Sequence, residues 1–135
     1  IACCLVGSEM CIRDRIIDVG TACTIDVLEN GQHLGGYIFP GMALARDALV
    51  ANTDKIRFSG DPEPSTSLGT DTASCVLSGI WLTLLASCQN VIDRFPNATV
   101  YLTGGSAPEL TALGLDAKRV DGLVFDGLDF WLNGA

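Results

Sequence analysis

Along this chain, short apolar runs closed by turn-forming residues alternate with stretches of helical spacing. Residues 16–20 (IIDVG) are an apolar run ending in glycine, the pattern of a strand entering a turn. Residues 21–28 continue with Thr21, Thr24, Ile25 and Val27, types that favour extended backbone. The pair Asn30–Gly31 predicts a tight hairpin, because both central positions of a type I′ turn need positive φ. Residues 33–39 are the returning strand, interrupted by Gly35 and Gly36. Pro40 stands where a helix can begin, and residues 42–50 (MALARDALV) have helical spacing. Residues 59–72, rich in Gly, Pro, Ser and Asp, read as a loop with Asp71 or Thr72 as helix cap. Beyond it Val76, Leu77, Ile80, Trp81, Leu84, Leu85, Cys88, Val91 and Ile92 share one broad helical face, and Pro96–Asn97 ends the helix. Residues 99–102 are a strand running into Thr103–Gly104–Gly105, residues 107–113 a short helix opened by Pro108, and residues 122–133 a last helix. The order strand, hairpin, helix, helix, strand, helix predicts one mixed α/β domain over residues 16–135, without internal repeats.

Residues 1–15 (IACCLVGSEMCIRDR) break this pattern. They hold three of the six cysteines and show no clean period, and they lack the features of a secretory signal. The run CLVGSEMCIRDR resembles translated read-through of a sequencing adapter joined to a truncated reading frame. Residues 1–15 are therefore expected to be a non-native leader, and functional reasoning is confined to residues 16–135.

Composition narrows the function classes. A net charge of −8, with Lys118–Arg119 as the only adjacent basic pair, argues against a nucleic-acid surface. The long apolar stretch at residues 73–92 is broken by Ser74, Ser78, Gly79, Thr83, Ser87, Gln89 and Asn90, and is expected to be a buried amphipathic helix rather than a membrane span. The six cysteines form no CxxC pair and His33 is the single histidine, so reduced thiols packed as small hydrophobes are expected rather than a zinc site. Fifteen glycines point to tight turns or to backbone lying close to a ligand.

Four segments carry candidate chemistry. In Asp18–Val19–Gly20–Thr21–Ala22–Cys23–Thr24 a strand delivers a carboxylate, glycine turns, and hydroxyls and N–H groups are left to face a phosphate. A carboxylate needs a cation between itself and a phosphate, and hard cations take such oxygens. The same motif also suits an ordinary strand turn. Gly35–Gly36–Tyr37–Ile38–Phe39–Pro40–Gly41 offers bare backbone either to a ligand or to a β-bulge. Leu68–Gly69–Thr70–Asp71–Thr72 sets hydroxyls at a helix start, where they either bind an anionic group or simply cap the helix. Thr103–Gly104–Gly105–Ser106 follows a strand and opens a helix, so a flat base or ribose could lie on its backbone.

The order of the four is more specific than any one. The run DVGTACTIDVLENGQHLGGYIFPGMALARDAL resembles the core signature of type III pantothenate kinases. LGTDTASCVLSGI resembles that family's pantothenate-side loop and helix, VYLTGGSAPEL its adenosine segment, and DGLVFDGL its C-terminal helix. The resemblance spans residues 16–135. It implies the ribonuclease-H-like, actin-like ATPase fold of the acetate and sugar kinase superfamily, here its C-terminal domain, a mixed sheet with flanking helices. It implies ATP-dependent phosphorylation of pantothenate to 4′-phosphopantothenate, the first step of coenzyme A synthesis, in a cytoplasmic homodimer.

Residue by residue, the resemblance implies that Asp18 holds a monovalent cation, K⁺ or NH₄⁺, beside the phosphates of Mg²⁺-bound ATP. It places Gly20 and Thr21 on ATP, Gly104 and Gly105 on the nucleotide side, and Thr72, Gly36 and Gly41 on pantothenate. The family's phosphate loop and its general-base aspartate have no counterpart here, so no catalytic residue is assigned. Asp14–Arg15 imitates the base aspartate and its neighbouring arginine by letter only. The 135 residues alone are expected to be inactive. Other readings are another actin-like small-molecule kinase, a non-catalytic regulatory relative of the same fold, or a structural α/β domain.

Overall fold

The computed structural model describes residues 13–60 and 62–123. The leader residues 1–12, and the expected last helix beyond Leu123, lie outside the described residues. Five strands and three helices follow in the order β1 (Arg13–Val19), β2 (Ala22–Glu29), β3 (Gln32–Pro40), α1 (Met42–Asn52), α2 (Thr72–Arg94), β4 (Thr99–Thr103), α3 (Ala107–Ala112) and β5 (Lys118–Arg119). They form a mixed sheet in the order β3-β2-β1-β4-β5. The β1–β2 and β2–β3 pairs are antiparallel, and the β1–β4 and β4–β5 pairs are parallel.

Local chemistry explains most of these elements. Asn30 (φ 51°) and Gly31 (φ 74°) both take positive φ, as a two-residue hairpin requires. β3 pairs with β2 through an irregularity at Val27/Leu28, where His33 and Gly35 are the successive partners and Leu34 is left over. The glycine pair of β3 thus adjoins a β-bulge, one of the two readings its sequence allowed. Asp71 is the N-cap of α2: its side chain accepts from the Ser74 N–H at 2.9 Å, and the Ser74 hydroxyl accepts from the Asp71 N–H at 3.2 Å. That reciprocal arrangement satisfies donors that the first helical turn leaves open.

The core lies between the sheet and α2. Leu77, Ile80, Trp81, Leu84, Cys88 and Val91 are the buried residues of α2. All of these except Leu77 belong to one cluster with Ile17 and Val19 of β1, Cys23, Ile25 and Val27 of β2, and Val100 and Leu102 of β4. Val76, Leu85 and Ile92 pack against it, so eight of the nine residues of the expected helical face contribute, and the ninth, Leu77, is buried outside it. The Cys23 thiol is held protonated by its hydrogen bond with Cys88 and by burial, and both behave as core hydrophobes. By length and composition alone α2 meets the measure of a membrane span; here one face of it is packed on the sheet. The opposite sheet face carries a smaller cluster of Ile16, Leu28 and Leu123 with Tyr101 and Val120.

β1 begins at Arg13, inside the segment that the sequence reading set apart. The backbone of residues 13–15 pairs with residues 27–29, and residues 14 and 15 also pair with β4. Asp14 and Arg15 are therefore buried in a central strand. Among the described residues, both Asp14 carboxylate oxygens and Arg15 Nε lack a hydrogen-bond partner. Arg15 is partly accommodated by its bonds to the Asp14 and Leu28 carbonyls and by the Phe95 ring, 4.5 Å from its guanidinium carbon. Asp14 has no comparable relief, and full burial denies its carboxylate access to any substrate.

Candidate functional site

Three segments converge at the C-terminal end of β1. The turn between β1 and β2 places the Gly20 N–H on the Ala22 carbonyl at 3.0 Å and leaves Thr21 exposed. The N-cap of α1, Gly41, donates its N–H to the Thr21 carbonyl at 2.9 Å. Gly41 is buried, and a Cβ there would overlap the Gly20 carbonyl oxygen and stand 2.8 Å from that of Thr21. From the other side the loop after β4 closes in, with the Ser106 N–H donating to the Val19 carbonyl at 3.0 Å. Gly104 takes φ 99°, and a Cβ on it would lie 2.5 Å from Asp18 Oδ1 and 2.6 Å from the Val19 backbone N and C. The turn is thus clamped between two glycine-based contacts, and only glycine permits either approach.

Asp18 sits at the centre of this junction. Strand register sets it beside Thr24 of β2 and Thr103 of β4, and Thr24 in turn beside Ile38 of β3. Side chains directly opposite one another share a sheet face, so Ile38, Thr24, Asp18 and Thr103 form one transverse row. Among the described residues no donor or cation meets the Asp18 carboxylate. Burial raises its pKa from the ordinary carboxylate value, and no neighbouring charge acts against that. A half-buried carboxylate without a partner is what a cation would offset. The surrounding donors are all oxygen with a single negative charge, and no group of three His, Cys, Asp or Glu side chains that could hold a metal is found among the described residues. Such a donor set fits a monovalent cation, or an ion shared with phosphate oxygens, better than an all-protein divalent cage.

The residues singled out from sequence fall into two groups. Asp18, Gly20, Thr21, Gly41 and Gly104 are brought together at the junction. Gly105 is exposed beside it, with open space where its Cβ would be. Gly36 lies one row away on the same sheet face, paired with Asp26, and its bare Cα is pressed against the Ile25 carbonyl. Thr72 is the exposed first residue of α2, and no backbone hydrogen bond among the described residues ties it to the junction. A cavity of about 210 Å³ beside the start of α2 is lined by residues that include Ser65, Ser67, Thr70, Asp71 and Ser74. Thr103 and Ser106 lie in the fourth segment that the sequence singled out, but only its two glycines were given a role there. The place of Thr103 and Ser106 depends on the parallel pairing of β1 with β4, which no local signal announces.

Comparison with known proteins decides what this junction belongs to. The family described as type III pantothenate kinase matches residues 2–94. The chain belongs to that family. The type III pantothenate kinase of Marinobacter nauticus is 40% identical over 118 residues, covering 84% of this chain and 49% of the relative. That of Psychrobacter cryohalolentis is 35% identical over 117 residues, covering 86% of this chain and 48% of the relative. The chain therefore spans about half the length of these relatives. The family match includes Asp18, Gly20, Thr21, Gly36, Gly41 and Thr72, and ends at the last residue of α2. In fold, the chain is similar to a solved Campylobacter jejuni protein described as a Baf family transcriptional activator, with a TM-score of 0.65 and 22% identity over 90% of this chain and 59% of that one.

Proposed function

We propose that this chain is the C-terminal, cation- and nucleotide-side part of an actin-like, ribonuclease-H-fold kinase that transfers the γ-phosphoryl group of ATP to the hydroxyl of pantothenate. The product is 4′-phosphopantothenate, and the reaction opens coenzyme A synthesis. The observation that carries this reading is the partnerless, half-buried Asp18 carboxylate at a glycine-clamped turn, in a chain of this family.

In this reading Asp18 holds K⁺ or NH₄⁺, and the nucleotide arrives with Mg²⁺. Bound there, the cations offset the charge of the phosphate oxygens, the main demand of phosphoryl transfer. The exposed Thr21 hydroxyl and the Gly20 backbone meet the ATP phosphates. Gly104 and Gly105 face the nucleotide. Thr72 and Gly36 face pantothenate. Gly41 acts on the same side indirectly, by fixing the turn through its bond to Thr21. No residue of the chain is assigned as general base. The exposed Leu44 and Leu49 of α1 and Leu82 of α2 provide the apolar surface for a homodimer. The cytoplasm, where ATP and reduced thiols coexist, is the matching compartment.

The test joins residues 16–135 to the N-terminal half of the Marinobacter nauticus relative and measures pantothenate-dependent ADP release. Turnover is expected to rise when NaCl is replaced by KCl, and to fall on the order of 100-fold in Asp18→Ala. Equal turnover in both salts, undiminished in Asp18→Ala, would contradict the assignment. A folded hybrid that binds ATP without turning over would favour the non-catalytic regulatory relative.

A further inference from the structure

We infer that Thr24 and Thr103 are cation-positioning residues, supplying neutral hydroxyl oxygens on either side of the Asp18 carboxylate. The inference rests on the reading of Asp18 as a cation site and extends it to two side chains that reading leaves without a role.

Register places both threonines beside Asp18, Thr24 across the antiparallel pair and Thr103 across the parallel pair. Neighbouring strands lie about 5 Å apart, so side chains on the same face at opposed positions meet at ligand-sharing range. One carboxylate offers at most two oxygens, fewer than a large monovalent cation takes when it sheds water. Neutral oxygens can fill that shell without disturbing the match of one negative charge to one positive charge. Thr103 is 5% exposed and Thr24 half-buried, yet no protein group hydrogen-bonds to either hydroxyl among the described residues. Neither oxygen is among the buried unpartnered atoms of the described residues, so both hydroxyls remain accessible to an incoming ion. Leu102, next to Thr103 on β4 and facing the α2 core, is apolar and fully buried. Thr103 thus sets its hydroxyl beside Asp18 while its strand neighbour on the other face is apolar. Gly104, where a Cβ would stand 2.5 Å from Asp18 Oδ1, puts no side chain of its own against that side of the carboxylate.

The experiment measures monovalent-cation binding by the 135-residue chain itself. Thallium(I) NMR, with thallium as the potassium surrogate, is run alongside thermal melts in matched KCl and tetramethylammonium chloride. The parent chain is expected to bind thallium and to melt higher in KCl, because a ligand that binds only the folded state raises its stability. Asp18→Asn is expected to lose both responses. Thr24→Val and Thr103→Val are each expected to weaken thallium binding by about tenfold, or about 1.4 kcal/mol. Thr24→Ser and Thr103→Ser, which keep the hydroxyl, are expected to retain it, an outcome that a purely packing role would not produce. Full thallium binding in folded Thr24→Val and Thr103→Val, with its loss in Asp18→Asn, would overturn this inference and leave the Asp18 assignment standing. No thallium or potassium response in the parent chain would overturn both.

Discussion

Gly104→Ala is expected to cost about 3 kcal/mol or more of stability and to remove the potassium response in the same variant. Two effects combine. Gly104 takes φ 99°, a conformation that a residue with a Cβ adopts only under strain. The added Cβ would also stand 2.6 Å from the Val19 backbone N and C, atoms held in place by β1 pairing on both sides. The remaining neighbour is Asp18 Oδ1 at 2.5 Å, so relaxation can proceed only by turning the carboxylate away from its row. Gly105→Ala is the control, because nothing lies within 4 Å of its Cβ and its φ is unremarkable. Urea unfolding should show a lower midpoint at unchanged slope for Gly104→Ala and a shift within about 0.5 kcal/mol for Gly105→Ala. Equal midpoints for the two variants would mean that the loop after β4 does not clamp β1.

Asp14→Val is expected to stabilise the chain, by about 1–3 kcal/mol at neutral pH. Asp14 is 0% exposed, and neither carboxylate oxygen has a hydrogen-bond partner among the described residues. Burial raises its pKa above the ordinary 3.8, opposed in part by the Arg15 charge. The sign follows from that direction. A carboxyl whose folded pKa is raised holds its proton more tightly in the folded state, so the parent loses stability as pH rises from 3.8 towards the raised value. The advantage of Asp14→Val should therefore be small near pH 3.8 and grow across that window to its neutral-pH maximum. Valine suits a central strand, and the backbone contacts of Arg15 to the residue 14 and Leu28 carbonyls survive the change. Urea unfolding of parent and variant at acidic and neutral pH measures the difference. A variant less stable than the parent at neutral pH would show that Asp14 has a partner the structure lacks.

The sequence was legible wherever the signal was local. Asn30–Gly31 specified the hairpin because its two positive φ angles are a property of two adjacent residues. The buried face of α2 followed from spacing, since a helix brings residues three and four apart onto one side. The aperiodic residues 13–15 have a structural counterpart: three of the four orphaned buried side-chain atoms among the described residues belong to Asp14 and Arg15. Long-range pairing was not legible. The parallel alignment of Asp18 with Thr103 spans both helices, and it alone puts Thr103, Gly104 and Ser106 against the first turn. The spacing of α1 foretold a helix but not that it would bury none of its residues, because amphipathic spacing does not say what covers an apolar face. β5 was missed because two charged residues carry no strand pattern; its backbone pairs with β4 all the same. Within the site, glycines chosen for ligand contact turned out to serve backbone contact first at Gly36, Gly41 and Gly104. Bare backbone looks the same in sequence whichever neighbour uses it.

The most direct test of the central claim is the identity of the product. The hybrid of residues 16–135 with the N-terminal half of the Marinobacter nauticus relative is incubated with ATP, Mg²⁺, K⁺ and pantothenate, and the mixture is read by mass spectrometry. The account predicts a product one phosphoryl group heavier than pantothenate, formed only with both ATP and the hybrid present. A folded hybrid that binds ATP and leaves pantothenate unmodified would contradict it.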